Sequence, residues 1–188
     1  MSTATLDQLA DLDDDFEKAA TMPEPTGEFT WEVHDATLRN SEKTKHIIKI
    51  VFRCCSEEHP EFKQEKEYWL YKKADNGERV RDDDVIRRFK KDMVTLGVDP
   101  DKWLPAGRKW NEMLIPALKA IIGLKVKAKR SKSDPNKDTG RVFVNFYLGK
   151  RVLADGEAAD LSFADVEARA AAVDEANKDP FGGDGIPE

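Results

Sequence analysis

The stretch Leu124-Lys-Val-Lys-Ala-Lys-Arg130 alternates apolar and basic residues. Successive side chains of a β-strand point to opposite faces, so this alternation predicts a half-buried strand. One face of that strand carries lysines spaced by about 6.6–6.8 Å, which is twice the rise per residue. These lysines are Lys125, Lys127 and Lys129. The opposite, apolar face needs neighbouring elements to cover it.

Four further segments predict the neighbouring strands, three by alternation and 65–72 by its aromatic residues. They are 28–38, 45–55, 65–72 and 141–148. Segment 45–55 is partly apolar on both faces, which is typical of a central strand. The pattern of segment 141–148 places Val142, Val144, Phe146 and Leu148 inward, and Phe143, Asn145 and Tyr147 outward.

A helical period interrupts the strands between 72 and 124. Apolar residues recur at helical spacing over 85–96, Asp82-Asp83-Asp84 suits the N-terminus of that helix, and Gly97 suits its end. A shorter helix is predicted over 111–122.

The order β-β-β-α(α)-β-β predicts a mainly β protein. It is the order of the five-stranded oligonucleotide-binding (OB) barrel, with the helical insert between strands three and four.

Charge divides the chain into three regions. Residues 1–25 carry seven acids and one base, and residues 153–188 carry ten acids and two bases. Residues 26–152 hold 28 bases and 20 acids, so a basic domain lies between two acidic segments. A helix is predicted over 162–176, with Ser162 and Asp165 at capping-box spacing, within an otherwise disordered acidic tail. The separation of a basic domain from two acidic segments points to a polyanionic partner.

Several classes of protein are not expected. No apolar run approaches the roughly 20 residues that span a bilayer, and the acidic start does not resemble a secretory signal. Cys54 and Cys55 are adjacent and supply no disulfide framework. We therefore expect a cytoplasmic protein without a membrane partner.

The predicted basic strands also carry aromatic residues, and this combination suits single-stranded nucleic acid. Lysine and arginine contact phosphates, and exposed rings stack on bases without regard to sequence. The candidate residues are Trp31, Lys49, Arg53, Trp69, Tyr71, Lys125, Lys127, Lys129, Arg130, Lys132, Arg141, Phe143 and Tyr147. The alternative for the lysines is a solvated strand face, and for the rings a place in the core.

Catalytic and metal sites are not predicted, and neither is a cofactor. Asp82, Asp83 and Asp84 admit a metal-dependent nuclease as an alternative, but helix capping accounts for them. Cys54, Cys55 and His59 lack a second ligand pair at zinc-site spacing.

Five short motifs resemble a known family: Asp11-Leu-Asp-Asp-Asp-Phe16, Gly27-Glu-Phe-Thr-Trp31, Leu96-Gly97, Ile121-Ile-Gly-Leu-Lys-Val126 and Val142-Phe-Val-Asn-Phe146. Together they resemble the OB-fold single-stranded DNA-binding proteins of tailed bacteriophages, over roughly residues 12–152. The acidic tail is similar to that of bacterial single-stranded DNA-binding proteins, which recruit partners through a proline-phenylalanine tip. The matching residues are Asp179, Pro180, Phe181, Ile186 and Pro187, with Glu188 in place of a terminal phenylalanine.

The resemblance implies a protein that coats single-stranded DNA during phage replication or recombination, in the host cytoplasm. Its tail would regulate binding or recruit replication and recombination proteins. RNA as the ligand, a homo-oligomer, and a protein-interaction or assembly module remain open alternatives.

Overall fold

The computed structural model describes residues 24–40, 46–99, 109–137 and 139–177. The described strands are β1 (Gly27–Arg39), β2 (Ile47–Cys54), β3 (Lys63–Trp69), β4 (Tyr71–Lys73), β5 (Arg79–Arg81), β6 (Lys125–Lys132) and β7 (Val144–Val152). The described helices are α1 (Asp83–Thr95), α2 (Trp110–Ala120) and α3 (Phe163–Ala176). Within the described residues, no helix is both long and apolar enough to cross a membrane.

The main sheet has five strands in the order β3-β2-β1-β6-β7, and each neighbouring pair is antiparallel. Strand β1 has 13 residues and joins both halves of the sheet. Its start pairs with β6, from Gly27 to Glu32, and most of its length pairs with β2. A register shift between Val33 and Asp35 bends β1 just after Trp31 and Glu32, the residues that pair with both partners. The predicted mainly β protein is confirmed at this level, with β3 and β7 at the two edges of the sheet.

The hydrophobic core lies between one face of this sheet and the helices that pack against it. Trp31, Phe52 and Phe146 meet there, with ring centroids about 5 Å apart across Trp31–Phe146 and Phe52–Phe146. Helix α1 adds Phe89 and Met93, both buried, on one face. Asp82 caps α1 by accepting from the backbone N–H groups of Asp84 and Val85, as its sequence predicts.

The strand boundaries differ from the sequence-based ones most at the end of β3 and at both ends of β7. The third predicted strand ends at Trp69, and the chain then forms the small hairpin β4–β5 around the Asp75-Asn-Gly turn. Strand β7 begins at Val144 and continues to Val152. Val142 and Val144 were predicted to face inward, but both are exposed because the β6–β7 hairpin projects beyond the core at this end.

The predicted helix at 162–176 is present as α3 and begins with the predicted capping box of Ser162 and Asp165. This helix packs on α2: the Arg169 guanidinium donates hydrogen bonds to the carbonyl oxygens of Ala120 (2.7 Å) and Ile122 (3.0 Å). Val166 of α3 is fully buried. Residues 153–177 therefore belong to the folded unit, although their composition resembles that of a tail. The predicted tail contacts at 179–187 lie outside the described residues.

Candidate nucleic-acid interface

Lys125, Lys127 and Lys129 lie on one face of β6, as the alternation predicted, and we call them the lysine stripe. Along β6 the side chains alternate between exposed and buried, with Lys125, Lys127 and Lys129 exposed and Val126 and Ala128 buried. No ion pair among the described residues involves these three lysines. Their charges are therefore available to a ligand.

Strand β1 places two carboxylates opposite the stripe. Glu32 pairs with Lys125 in the ladder, and Glu28 pairs with Lys129. The Glu32 carboxylate accepts a hydrogen bond from the Arg53 guanidinium of β2 at 2.9 Å. The acidic flank of the stripe is thus partly neutralised by a neighbouring strand.

Two exposed rings lie on the same face, on the other flank of the stripe. Tyr147 is directly opposite Lys129 in the β6–β7 ladder and is 62% exposed. Phe143 precedes β7 and is 58% exposed. Its backbone exchanges hydrogen bonds with Ser133: the Phe143 carbonyl accepts from the Ser133 N–H at 2.8 Å, and the Phe143 N–H donates to the Ser133 hydroxyl at 2.9 Å. The alternation therefore continues past the strand end and puts both rings on one side, about 13 Å apart.

We call the surface formed by Lys125, Lys127, Lys129, Phe143 and Tyr147 the β6–β7 face. Two more predicted residues border it. Arg141 is exposed in the hairpin loop, where its carbonyl accepts a hydrogen bond from the Asn136 N–H at 2.8 Å. Lys132 is half-exposed, and its Nζ lies 3.2 Å from a carboxylate oxygen of Glu24.

Arg130 was predicted to contact phosphate, but it is a structural residue. It is only 3% exposed. Its guanidinium donates to Gln64 Oε1 (2.8 Å), to the Pro25 carbonyl (3.0 Å) and to the Glu24 carboxylate. It also lies 5.0 Å from the centroid of the Phe62 ring. The signal was present in the sequence, since Arg130 has the same parity in the strand as Val126 and Ala128.

Trp31 was predicted to stack on bases, but it is fully buried. Its ring makes edge contacts with Phe62 and Phe146, at centroid distances of 6.3 and 5.0 Å. In the ladder it is opposite Val126, on the core side of β6. We therefore remove Trp31 from the candidate interface, because a base cannot reach its buried ring.

The two predicted cations of β2 form ion pairs with carboxylates of β1, of β3 and of the turn before β3. Lys49 forms an ion pair with Glu65, and its side chain is largely buried. Arg53 pairs with Glu32 at 2.9 Å and with Glu61 at 3.6 Å. A phosphate would have to displace these partners, so β2 would be a weaker contact surface than β6.

The remaining predicted rings are not part of the β6–β7 face. Trp69 ends β3 at the other edge of the sheet and is 47% exposed, with its indole N–H donating to Glu67 at 3.1 Å. Tyr71 is half-buried in β4, and its ring centroid lies 5.8 Å from that of His46.

The three aspartates that admitted a nuclease each have a structural partner. Asp82 caps α1, Asp83 accepts from Arg81 at 2.8 Å, and Asp84 accepts from Arg87 at 2.9 Å. In the part of the chain that the structure describes, no group of three histidine, cysteine or acidic side chains is placed to hold a metal ion.

The contact between Glu24 and Arg130 predicts a pH-dependent contribution to stability. Hydrogen bonds from Arg130 and Lys132 lower the pKa of the Glu24 carboxyl. Because this pKa is lower in the folded state than in the unfolded chain, the ionised carboxyl stabilises the fold at every pH above the ordinary pKa of glutamate. This stabilisation is lost as the pH falls through the lowered pKa of the folded state. We expect Glu24→Gln to reduce the free energy of unfolding by about 1 kcal/mol at pH 7, since Glu24 is half-exposed and Arg130 keeps its other partners.

Chemical denaturation of both proteins at pH 7 and at pH 3 measures this effect. The difference between wild type and Glu24→Gln should shrink at the lower pH, because the Glu24 carboxyl of the unfolded chain is protonated there and unfolding then takes up a proton. A difference that is the same at both pH values would show that the charge of Glu24 is not the stabilising feature.

Comparison with known proteins leaves the chain without a family assignment: it matches no protein-family model, and no curated protein is significantly similar to it.

Proposed function

We propose that this protein binds single-stranded DNA without sequence preference, through the β6–β7 face. The observation that carries the proposal is the juxtaposition, on one side of one hairpin, of two exposed rings and three exposed lysines that form no ion pair with any described residue. Lysines neutralise phosphates and release counterions, and rings stack on bases.

The exposed rings favour single-stranded over double-stranded nucleic acid. In a duplex the bases are stacked on one another and present only their edges in the grooves. Phe143 and Tyr147 offer flat apolar surfaces that an unpaired base can cover. These rings make no demand on base identity, which fits a protein that coats strands of any sequence.

We also propose that the sheet is an OB barrel. Support comes from the strand order, from β1 pairing with both β2 and β6, and from the position of α1 between the third strand and the β6–β7 hairpin. Strands β3 and β7 approach each other closely enough for Lys66 Nζ of β3 to donate to the Phe146 carbonyl of β7 at 3.3 Å. A barrel would be closed along this seam.

With the motif resemblance, these features support a role in coating single strands during phage DNA replication or recombination. The acidic residues beyond 177 would then regulate binding or recruit replication proteins.

A salt-dependent titration tests the proposal. The full chain is titrated with fluorescently labelled dT oligonucleotides, matched RNA and the corresponding duplex, at several salt concentrations. We expect tight binding to the single strand that weakens steeply with salt, and much weaker binding to the duplex. Absence of single-strand binding at low salt would refute the proposal and favour a protein-interaction module. Equal affinity for RNA and DNA would widen the ligand class.

A further inference from the structure

A groove of about 620 Å³ lies between the two edge strands of the sheet, next to the β6–β7 face. Strand β3 forms one wall, β7 forms the other, and α1 lies along it. Part of its lining is apolar, with Val85 and Leu148 both half-buried. Its volume falls within the range of small-molecule and nucleotide sites, about 300–1,000 Å³.

Two exposed aromatic side chains line this groove from opposite walls. Trp69 comes from β3, and Tyr147 comes from β7. The orientation of Trp69 is restrained, because its indole N–H donates to Glu67. Tyr147 also belongs to the β6–β7 face, so the groove and that face are continuous around the edge of β7.

Helix α1 adds two cations to the groove, Arg88 and Lys91, both exposed. The acidic side chains nearby have other partners. Asp92 accepts from the Tyr68 hydroxyl at 2.5 Å and lies 2.7 Å from Lys66 Nζ, and Glu65 is paired with Lys49. In the described parts of the chain, neither Arg88 nor Lys91 forms an ion pair.

The floor of the groove is held by Lys66. Its Nζ bridges Asp92 of α1 and the Phe146 carbonyl of β7, so three elements are tied together at one point. Burial and the adjacent Asp92 charge raise the pKa of Tyr68, which keeps its hydroxyl protonated as a donor to Asp92. Contacts of Lys66 and Tyr68 therefore join β3, one wall of the groove, to α1 and to β7.

We propose that this groove is a second subsite for the same single strand. Bases leaving the β6–β7 face past Tyr147 would stack on Trp69, and the phosphates between them would lie against Arg88 and Lys91. The inference rests on the proposed function and extends it, since it gives the strand a path from the lysine stripe over the edge of β7 to α1.

Nucleic acid fits the groove better than a peptide strand does. An extended peptide would bind by pairing with the free edge of β7 or β3. The Phe146 carbonyl on β7 already accepts from Lys66, which obstructs pairing at the middle of that edge. Two exposed cations, unpaired within the described ranges, beside two exposed rings suit a phosphate backbone with stacked bases.

Paired charge reversals on α1 test the subsite. Arg88→Glu with Lys91→Glu reverses the two groove cations. Arg87→Glu with Lys90→Glu makes the same change of charge at the neighbouring positions, which do not line the groove. With a dT oligonucleotide of about 20 residues we expect the first variant to bind at least ten-fold more weakly than the second. Circular dichroism checks that both are folded.

Photocrosslinking locates the strand directly. The wild-type complex with an oligonucleotide containing 5-iodouracil is irradiated, and crosslinked peptides are identified by mass spectrometry. We expect crosslinks at Trp69 as well as at Tyr147. Crosslinks confined to Phe143 and Tyr147, with equal affinities of the two charge-reversed variants, would overturn the subsite and leave the proposed function intact. No binding by any of the proteins would refute both.

Discussion

Replacing Lys125, Lys127 and Lys129 together by alanine is expected to weaken binding to a single-stranded oligonucleotide on the order of 100-fold at low salt. Each lysine–phosphate contact contributes about 0.7 to the dependence of log affinity on log salt for single strands, so the slope should fall by about 2. The three lysines are exposed and have no ion-pair partner among the described residues, so their removal leaves no buried charge behind. We therefore expect little change in the free energy of unfolding.

A matched control separates a local site from general electrostatic attraction. Lys73, Lys90 and Lys109 are also exposed, and they are scattered over β4, α1 and the start of α2. Replacing these three by alanine removes the same total charge. Titrations of both variants over a range of salt concentrations measure affinity and slope. Equal losses in the two variants would mean that the net charge of the domain, and not the β6–β7 face, holds the strand.

Replacing Trp31 by alanine is expected to destabilise the protein by about 3–5 kcal/mol, the usual cost of emptying the space of a buried large aromatic side chain. Trp31 is fully buried between Phe62 and Phe146 and lies where β1 is paired with both β2 and β6. The cavity would therefore open at the junction of the two halves of the sheet.

Trp69→Ala is the comparison for the effect of losing an indole. Trp69 is half-exposed at the sheet edge, so its replacement should change the free energy of unfolding by no more than about 0.5 kcal/mol. Urea unfolding followed by circular dichroism measures both. If Trp31→Ala were as stable as wild type and bound DNA poorly, Trp31 would be a ligand contact and its buried position would not persist in solution.

The elements of the fold were largely predictable because their patterns are local. The alternation over 124–130 determines which residues of β6 face the core, and the lysine stripe follows from it without knowledge of any other strand. The N-caps of α1 and α3 were also readable, since Asp82 and Ser162 satisfy backbone N–H groups within the next three residues.

The roles of individual site residues were less predictable, because charge pairing joins distant parts of the chain. Lys49, Arg53 and Arg130 look like the β6 lysines in sequence. They differ because Glu65, Glu32 and Glu24 are brought next to them by neighbouring strands or by the chain before β1. Arg88 and Lys91 were not among the predicted residues. Helix α1 carries charged residues on most of its surface, and its sequence does not indicate which side of the helix lines a groove.

The sequence by itself determined the strand-rich fold, the helical insert and the lysine stripe, because these depend on the two-residue period of a strand and the 3.6-residue period of a helix. Only the tertiary structure decided which cations are free and which rings are exposed. Those properties depend on what each side chain meets across the sheet, and contacts between residues far apart in the chain leave no periodic trace in the sequence.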